Sequence, residues 1–162
     1  MDIGAAFDAL MRSLGGRAMI VTVHAGGTRA GCLIGFGTQV SMDPPRFLAC
    51  LSDKNRTYRV AANGAEHLVV HLLPPDRHDL AELFGGATGD DVDKFERCAW
   101  HDGPHGTVVL DDCPDWFAGR VLERRPLGDH VGFLLEPDAA AFAGGGAMPM
   151  QDVMDVDAGH EA

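Results

Sequence analysis

Short apolar runs rich in β-branched residues follow one another along most of this chain. Glycine, proline and aspartate turns part them more often than helices do, and that succession constrains the fold most. Ala18-Met19-Ile20-Val21-Thr22-Val23 has no helical polar face and reads as a strand. Ala25-Gly26-Gly27-Thr28 supplies a hairpin turn, and Arg29 to Val40 returns as a second strand studded with Gly31, Gly35 and Gly37. Asp43-Pro44-Pro45 stops it, and Arg46 to Leu51 is the next strand. Strands are also expected at Glu66 to Leu73, Cys98 to Trp100, Thr107 to Leu110, Asp115 to Glu123 and His130 to Leu135. Helices are expected at Ala5 to Leu14, Asn55 to Ala62 and Asp76 to Phe84, with a further turn capped by Gly89-Asp90-Asp91 that ends near Phe95. This is not the regular strand–helix alternation of a parallel sheet. It predicts a mostly β fold, an antiparallel barrel with peripheral helices.

With 162 residues, 46% of them hydrophobic, the chain fits one domain with one core. After Glu136-Pro137 it turns Ala/Gly-rich, which places the domain at 1–137 and an acidic tail at 138–162. Within that tail, Met148 to Val156 is apolar enough to form one docking strand, expected across a partner subunit.

Acidic side chains outnumber Lys and Arg 24 to 13, and without the five acids of the tail the body still carries −6. Such a surface repels phosphate backbones, so no nucleic-acid role is expected. No run approaches the roughly 20 apolar residues of a membrane span. The opening Met1-Asp2-Ile3-Gly4 carries an acid where a secretory leader carries bases. Cys32, Cys50, Cys98 and Cys113 are scattered, which suits reduced thiols and a cytoplasmic location.

Two constellations could hold a ligand. Gly31-Cys32-Leu33-Ile34-Gly35-Phe36-Gly37-Thr38-Gln39-Val40-Ser41 bares backbone amides and carbonyls, a surface that suits a flat heteroaromatic ring and equally describes a plain β-bulge. Ser52-Asp53-Lys54-Asn55-Arg56-Thr57 gathers hydroxyls, an amide and two cations at a helix start. That is the donor set a phosphate needs, although helix capping alone accounts for half of it. Gly128-Asp129-His130 puts a histidine at a strand mouth, where it can donate a hydrogen bond or move a proton.

No metal site is expected. Cys98-x-x-His101-x-x-x-His105 lacks a second ligand pair, and His67 and His71 would lie roughly 13 Å apart on one strand face. Cys113 beside Asp111-Asp112 makes a poor nucleophile. There is no G-x-S-x-G, P-loop or G-x-G-x-x-G before a helix.

Taken in order, these segments resemble the flavin reductase-like family of FMN-binding split barrels. The carrying residues are Ala18 to Thr22, Gly31, Thr38-Gln39-Val40-Ser41-Met42-Asp43-Pro44-Pro45, Phe47 to Ser52, Asn55-Arg56-Thr57, Phe95, Val108 to Leu110 and Gly128-Asp129-His130. The resemblance implies a six-stranded antiparallel Greek-key barrel that works as a homodimer with FMN or FAD between subunits. It implies flavin reduction by NADH or NADPH, with reduced flavin passed to a partner monooxygenase. Carried over by position, Gly35, Phe36, Gly37, Thr38, Gln39 and Ser41 would face the flavin ring and ribityl chain. Ser52, Lys54, Asn55 and Thr57 would hold the phosphate, and His130 would be the catalytic group near the ring. Leu33, Gly35 and Phe36 stand where many members carry hydroxyl residues, and Gly37 where they carry an aromatic. The alternative on the same barrel is a non-catalytic module that binds flavin or a related cofactor, such as an electron carrier.

Overall fold

A strand with no polar face along its first five residues needs cover on both sides, and β1 (Met19–Ala25) is buried throughout Met19 to Val23. In the computed structural model, which describes residues 2–88 and 91–156, Met19, Val21 and Val23 point into one core cluster. Ala18 and Ile20 point into a second. Thr22, fully buried on that second side, donates its hydroxyl hydrogen to the Val108 carbonyl at 2.6 Å. The continuous run at 18–23 is therefore the signature of a wall with packing inside and outside.

Gly26 and Gly27, with φ of 58° and 75°, make the tight turn into β2 (Thr28–Ile34). Then follow β3 (Gly37–Met42), a cis Asp43–Pro44 turn, and β4 (Pro45–Ser52). α2 (Arg56–Ala62) leads to β5 (His67–Leu72), and α1 (Ile3–Leu14) precedes β1. α3 (His78–Ala81) runs into a wider turn at Glu82–Gly86. A small ribbon follows, β6 (Trp100–Asp102) with β7 (Val108–Leu110), and the long hairpin β8 (Trp116–Pro126) and β9 (His130–Ala141) completes the sheet. The turn expected at Gly89-Asp90-Asp91 falls partly outside the described residues; its far end is a short turn at Lys94–Glu96 capped by Asp93.

Seven strands form one sheet in the order β2-β1-β5-β8-β9-β4-β3, every neighbour antiparallel. Its two outermost strands, β2 and β3, are consecutive in the chain and parted only by Gly35 and Phe36. That link spans at most about 11 Å, so the sheet has to curl until its two edge strands approach at that corner, though they do not pair along their length. The single strand expected over Arg29 to Val40 is thus two, because the chain leaves β1 at Ile34 and joins β4 at Gly37. Counted with the ribbon there are nine strands among the described residues, where six were expected. The ribbon packs on the outer wall, Val109 against Val69 and Ala118.

The link expected after Pro137 is also corrected. β9 continues to Ala141 because Trp116, Phe117 and Ala118 extend β8 opposite it. The glycines that follow are held: the Asp115 carboxylate accepts backbone N–H groups from Ala143, Gly144 and Gly145. Met148 then exchanges backbone bonds with Ala18 and Leu73 at 2.8 Å each. The segment expected to dock on a partner docks on its own outer core, burying Met148 and Val153. Each such side chain stabilises the fold by roughly 1.5–3 kcal/mol. Residues 157–162 of the expected tail lie outside the described ones.

α1 forms where its stripe of Phe7, Leu10, Met11 and Leu14 predicts, with Asp2 capping its start and Gly15 its end. None of its residues is buried, however, so the apolar stripe is open on this chain. Among the described residues no helix is long and apolar enough to cross a membrane.

Candidate functional site

An edge strand leaves one row of backbone groups unpaired, and β2 is such an edge. Beside it lies a cleft of about 400 Å³, walled by Thr28 to Gly31 and Leu33, by Asn55, Arg56 and Thr57 at the start of α2, and by segments 84–88 and 91–95. This is within the size range of small-molecule sites.

The wall is built by specific contacts. Asn55 Oδ1 accepts the Thr57 N–H at 2.7 Å, which fixes the first turn of α2. Lys94 is almost fully buried, and its ammonium donates to the carbonyls of Gly31 and Phe84 at 3.0 Å each. It therefore ties β2 to the Glu82–Gly86 turn, and burial pushes its pKa down. Gly31 has no side chain because Phe84 lies where one would be; a Cβ there would come within 2.8 Å of the ring. Arg29 adds a further cation, its guanidinium 4.4 Å above the Trp100 ring. Asp91 and Asp93 also line the cleft, and Asp93 is engaged in capping Phe95.

Of the residues singled out in the sequence, Asn55 and Thr57 are on this wall, both buried. Ser52 ends β4 just before it, opposite His130 in the β4–β9 register. Lys54 is exposed, and its ammonium is 3.6 Å from Asp53, off the cleft wall. The Gly35 to Ser41 segment does not line the cleft. The space over Gly35 is filled by the Met150 side chain, whose Cε would be 2.7 Å from a Cβ there. Gly37 is covered by Met19 and Phe47. Thr38, Gln39 and Ser41 run along the exposed edge strand toward the cis turn, opposite Leu48, Phe47 and Arg46. The glycine spacing thus records close packing by the chain's own apolar groups.

Phe36 and His130 form a separate pair near the end of β4, with rings 4.8 Å apart. His130 Nδ1 is 2.7 Å from Asp129, and the Phe36 carbonyl accepts the Cys50 N–H at 2.9 Å. His130 is off the cleft wall.

Lys94, Arg29 and the loop around Gly85 escaped the sequence reading. Only a prediction that β2 is an edge and that Phe84 folds back onto Gly31 would have found them. No thiol is set up as a nucleophile: burial, then the neighbouring Asp112 and Asp111, pushes Cys98 up to about 11. Burial first, with Asp112 adding to it, pushes Cys113 up to about 12.

The geometry is therefore a polar cleft whose wall combines cations, hydroxyl and amide groups with the aromatic rings of Phe84 and Phe95. A family model described as the flavin reductase like domain matches residues 11–151. The chain belongs to the flavin reductase-like family. Among curated relatives of this flavin reductase-like domain, the FMN reductase (NADH) of Variovorax paradoxus is 33% identical over 85% of the chain and 74% of the relative. The stachydrine N-demethylase reductase subunit of Rhizobium meliloti is 29% identical over 76% of the chain, which spans about half, 54%, of that relative. Among solved structures, the NADH:FAD oxidoreductase of Streptomyces globisporus superposes with a TM-score of 0.80 at 21% identity, covering 92% of this chain and 90% of that one. That likeness supports the barrel as a shared fold.

The cleft fits a flavin nucleotide on its own terms. Arg56 and the start of α2 match a phosphate, with the Lys94 charge nearby though its ammonium is held by two carbonyls, and the open edge of β2 with Phe84 and Phe95 matches a flat ring carrying carbonyls.

Proposed function

We propose that this chain is an NAD(P)H-dependent flavin reductase that takes FMN or FAD and is reduced by NADH or NADPH. We further propose that it serves as the reductase component of a two-component monooxygenase in the cytoplasm. The observation that carries the reading is the convergence of Asn55, Arg56 and Thr57 with buried Lys94 on one cleft beside an open strand edge. Bound flavin would accept a hydride from the nicotinamide, chemistry that resides in the two cofactors. The chain's own part is to bind, orient and exclude water. Thr57, Asn55 and Arg56 would hold the phosphate, and Lys94 would keep β2 and the Glu82–Gly86 turn at a fixed separation. His130, whose Nδ1 is engaged by Asp129, stands outside the cleft and would need the nicotinamide or a partner subunit to bring it to the ring. Purified protein supplied with FMN or FAD should oxidise NADH or NADPH catalytically. Absence of nicotinamide oxidation with both flavins would overturn the reading.

One observation favours the alternative of a flavin-holding carrier without turnover: His130, the one catalytic candidate, is not on the cleft wall. Retention of flavin through gel filtration together with no NAD(P)H consumption would decide for it.

The working unit is proposed to be a homodimer. Exposed apolar side chains on α1 (Phe7, Leu10, Leu14) and on the β3 edge (Val40, Met42) support a twin as cover. Light scattering should give twice the chain mass, and Val40→Glu with Met42→Glu should shift it toward monomer. A wild-type monomer at micromolar concentration would defeat the proposal.

A further inference from the structure

Two backbone irregularities far apart in the sequence aim side chains at one point on the outer wall. His105 is a non-glycine residue in the left-handed region, φ 59° and ψ 29°, at the turn between β6 and β7. Asp138 is the extra residue of a β-bulge: Gly119 faces Pro137 and Ala118 faces Ala139, leaving Asp138 with no opposite number. Bulges re-aim side chains, and this one turns Asp138 toward the turn of the ribbon. The third member, His67, opens β5 on the neighbouring wall.

The three side chains meet closely. His67 Nε2 is 3.0 Å and His105 Nε2 is 3.3 Å from the same Asp138 Oδ2. The two imidazoles are stacked, centroids 4.1 Å apart and planes 11° from parallel. One ligand atom from each residue lies within 4.8 Å of the others. Two ligands bonded at 2.0–2.1 Å to a tetrahedral ion stand about 3.3 Å apart, close to the observed N–O separations, which also suit a hydrogen bond from His67 to Asp138. His24 Nδ1, 2.9 Å from the Gly106 carbonyl, braces the turn from behind.

We propose that His67, His105 and Asp138 bind a single divalent transition-metal ion of the zinc type, which clips the β6–β7 ribbon to the barrel wall. Two imidazole nitrogens and one carboxylate oxygen suit a borderline ion, and they leave its fourth position to water on the exposed side of His105. None of the three residues lines the flavin cleft, so the site is independent of the proposed reductase activity. Spacing in the sequence hid it: the ligands are 38 and 33 residues apart, and His71, the partner suggested by proximity, is buried elsewhere.

The test uses full-length protein stripped with a chelator and then titrated with Zn²⁺ or Co²⁺. One ion per chain should survive desalting, and the Co²⁺ complex should show the visible bands of four-coordinate geometry. Zn²⁺ should raise the unfolding midpoint. His105→Gly keeps the left-handed turn and Asp138→Asn keeps the shape. Since changes behind a ligand already cost 10–100-fold, each should weaken binding by at least about 100-fold. His101→Ala, in the same ribbon but paired with Asp111, should bind like wild type. Failure of wild type to retain either ion would overturn the proposal, as would equal binding by His105→Gly and Asp138→Asn.

Discussion

Replacing His71 by leucine is expected to cost about 3 kcal/mol at neutral pH and to lower the melting temperature by roughly 10 °C. His71 has no exposed surface. Its Nδ1–H donates to the Ile20 carbonyl at 3.0 Å, and its Nε2 accepts the Leu110 N–H at 3.0 Å. The two partners fix the neutral tautomer, and together they bolt the outer ribbon strand β7 to the barrel strands β1 and β5. Leucine fills the volume but leaves the buried Leu110 N–H unpaired and takes a second donor from the Ile20 carbonyl, and an orphaned buried donor costs roughly 1–3 kcal/mol.

The same residue sets an acid limit. Burial lowers the His71 pKa from the ordinary 6.5 to about 4; its bond to Ile20 opposes the shift, and nearby His101 adds to it. Between those values the unfolded chain binds a proton that the fold excludes, so stability rises with pH through this window. The contribution is complete above about pH 6.5 and lost as pH falls toward 4, a total of about 3 kcal/mol. Asp115, its pKa held down by the N–H groups of Ala143, Gly144 and Gly145, adds a loss of the same sign as acid protonates it. Urea unfolding from pH 7.5 to 4 should show the slope in wild type and a flatter profile in His71→Leu. An equal slope in both proteins would refute the assignment.

How much of this was legible beforehand follows from what each signal reports. The barrel walls were legible because strands buried on both faces write themselves as runs such as Ala18 to Val23. The break at Gly35-Phe36 was not, because a chain passing from one sheet edge to the other keeps β character on both sides. The Ala/Gly stretch read as a loose link because its composition is that of a linker. Its anchor, Asp115, lies 28 residues or more upstream and gives no local sign. The cleft was half legible. Asn55 and Thr57 sit in a helix start whose cap chemistry is local, so residue types alone located them. The glycines divide: Gly31 lines this cleft while Gly35 and Gly37 do not, since a missing Cβ says only that something comes close. Met150 and Phe84, which do come close, are distant in sequence from the glycines Gly35 and Gly31 that they cover. The His67–His105–Asp138 cluster was invisible for the same reason, being assembled by a bulge and a turn.

Arg56→Ala is expected to weaken FMN binding by about 10–100-fold while leaving riboflavin affinity unchanged. Arg56 stands on the cleft wall between Asn55 and Thr57, with Lys94 on the same wall. A hydrogen bond to a charged group is worth about 1.5–3 kcal/mol, and each 1.4 kcal/mol is a factor of ten in Kd. Riboflavin has the ring and ribityl chain but no phosphate, so the difference between the two ligands isolates the phosphate contribution from any general loosening of the cleft. Arg56→Lys should recover part of the FMN affinity, because a point charge replaces the fork without its two-pronged geometry. Raising salt should erode the FMN preference of the wild type and leave the variant nearly indifferent. Fluorescence quenching of each flavin measures all three proteins. An equal loss for FMN and riboflavin would mean that Arg56 supports the wall rather than the phosphate, and the handle of the ligand would have to lie elsewhere.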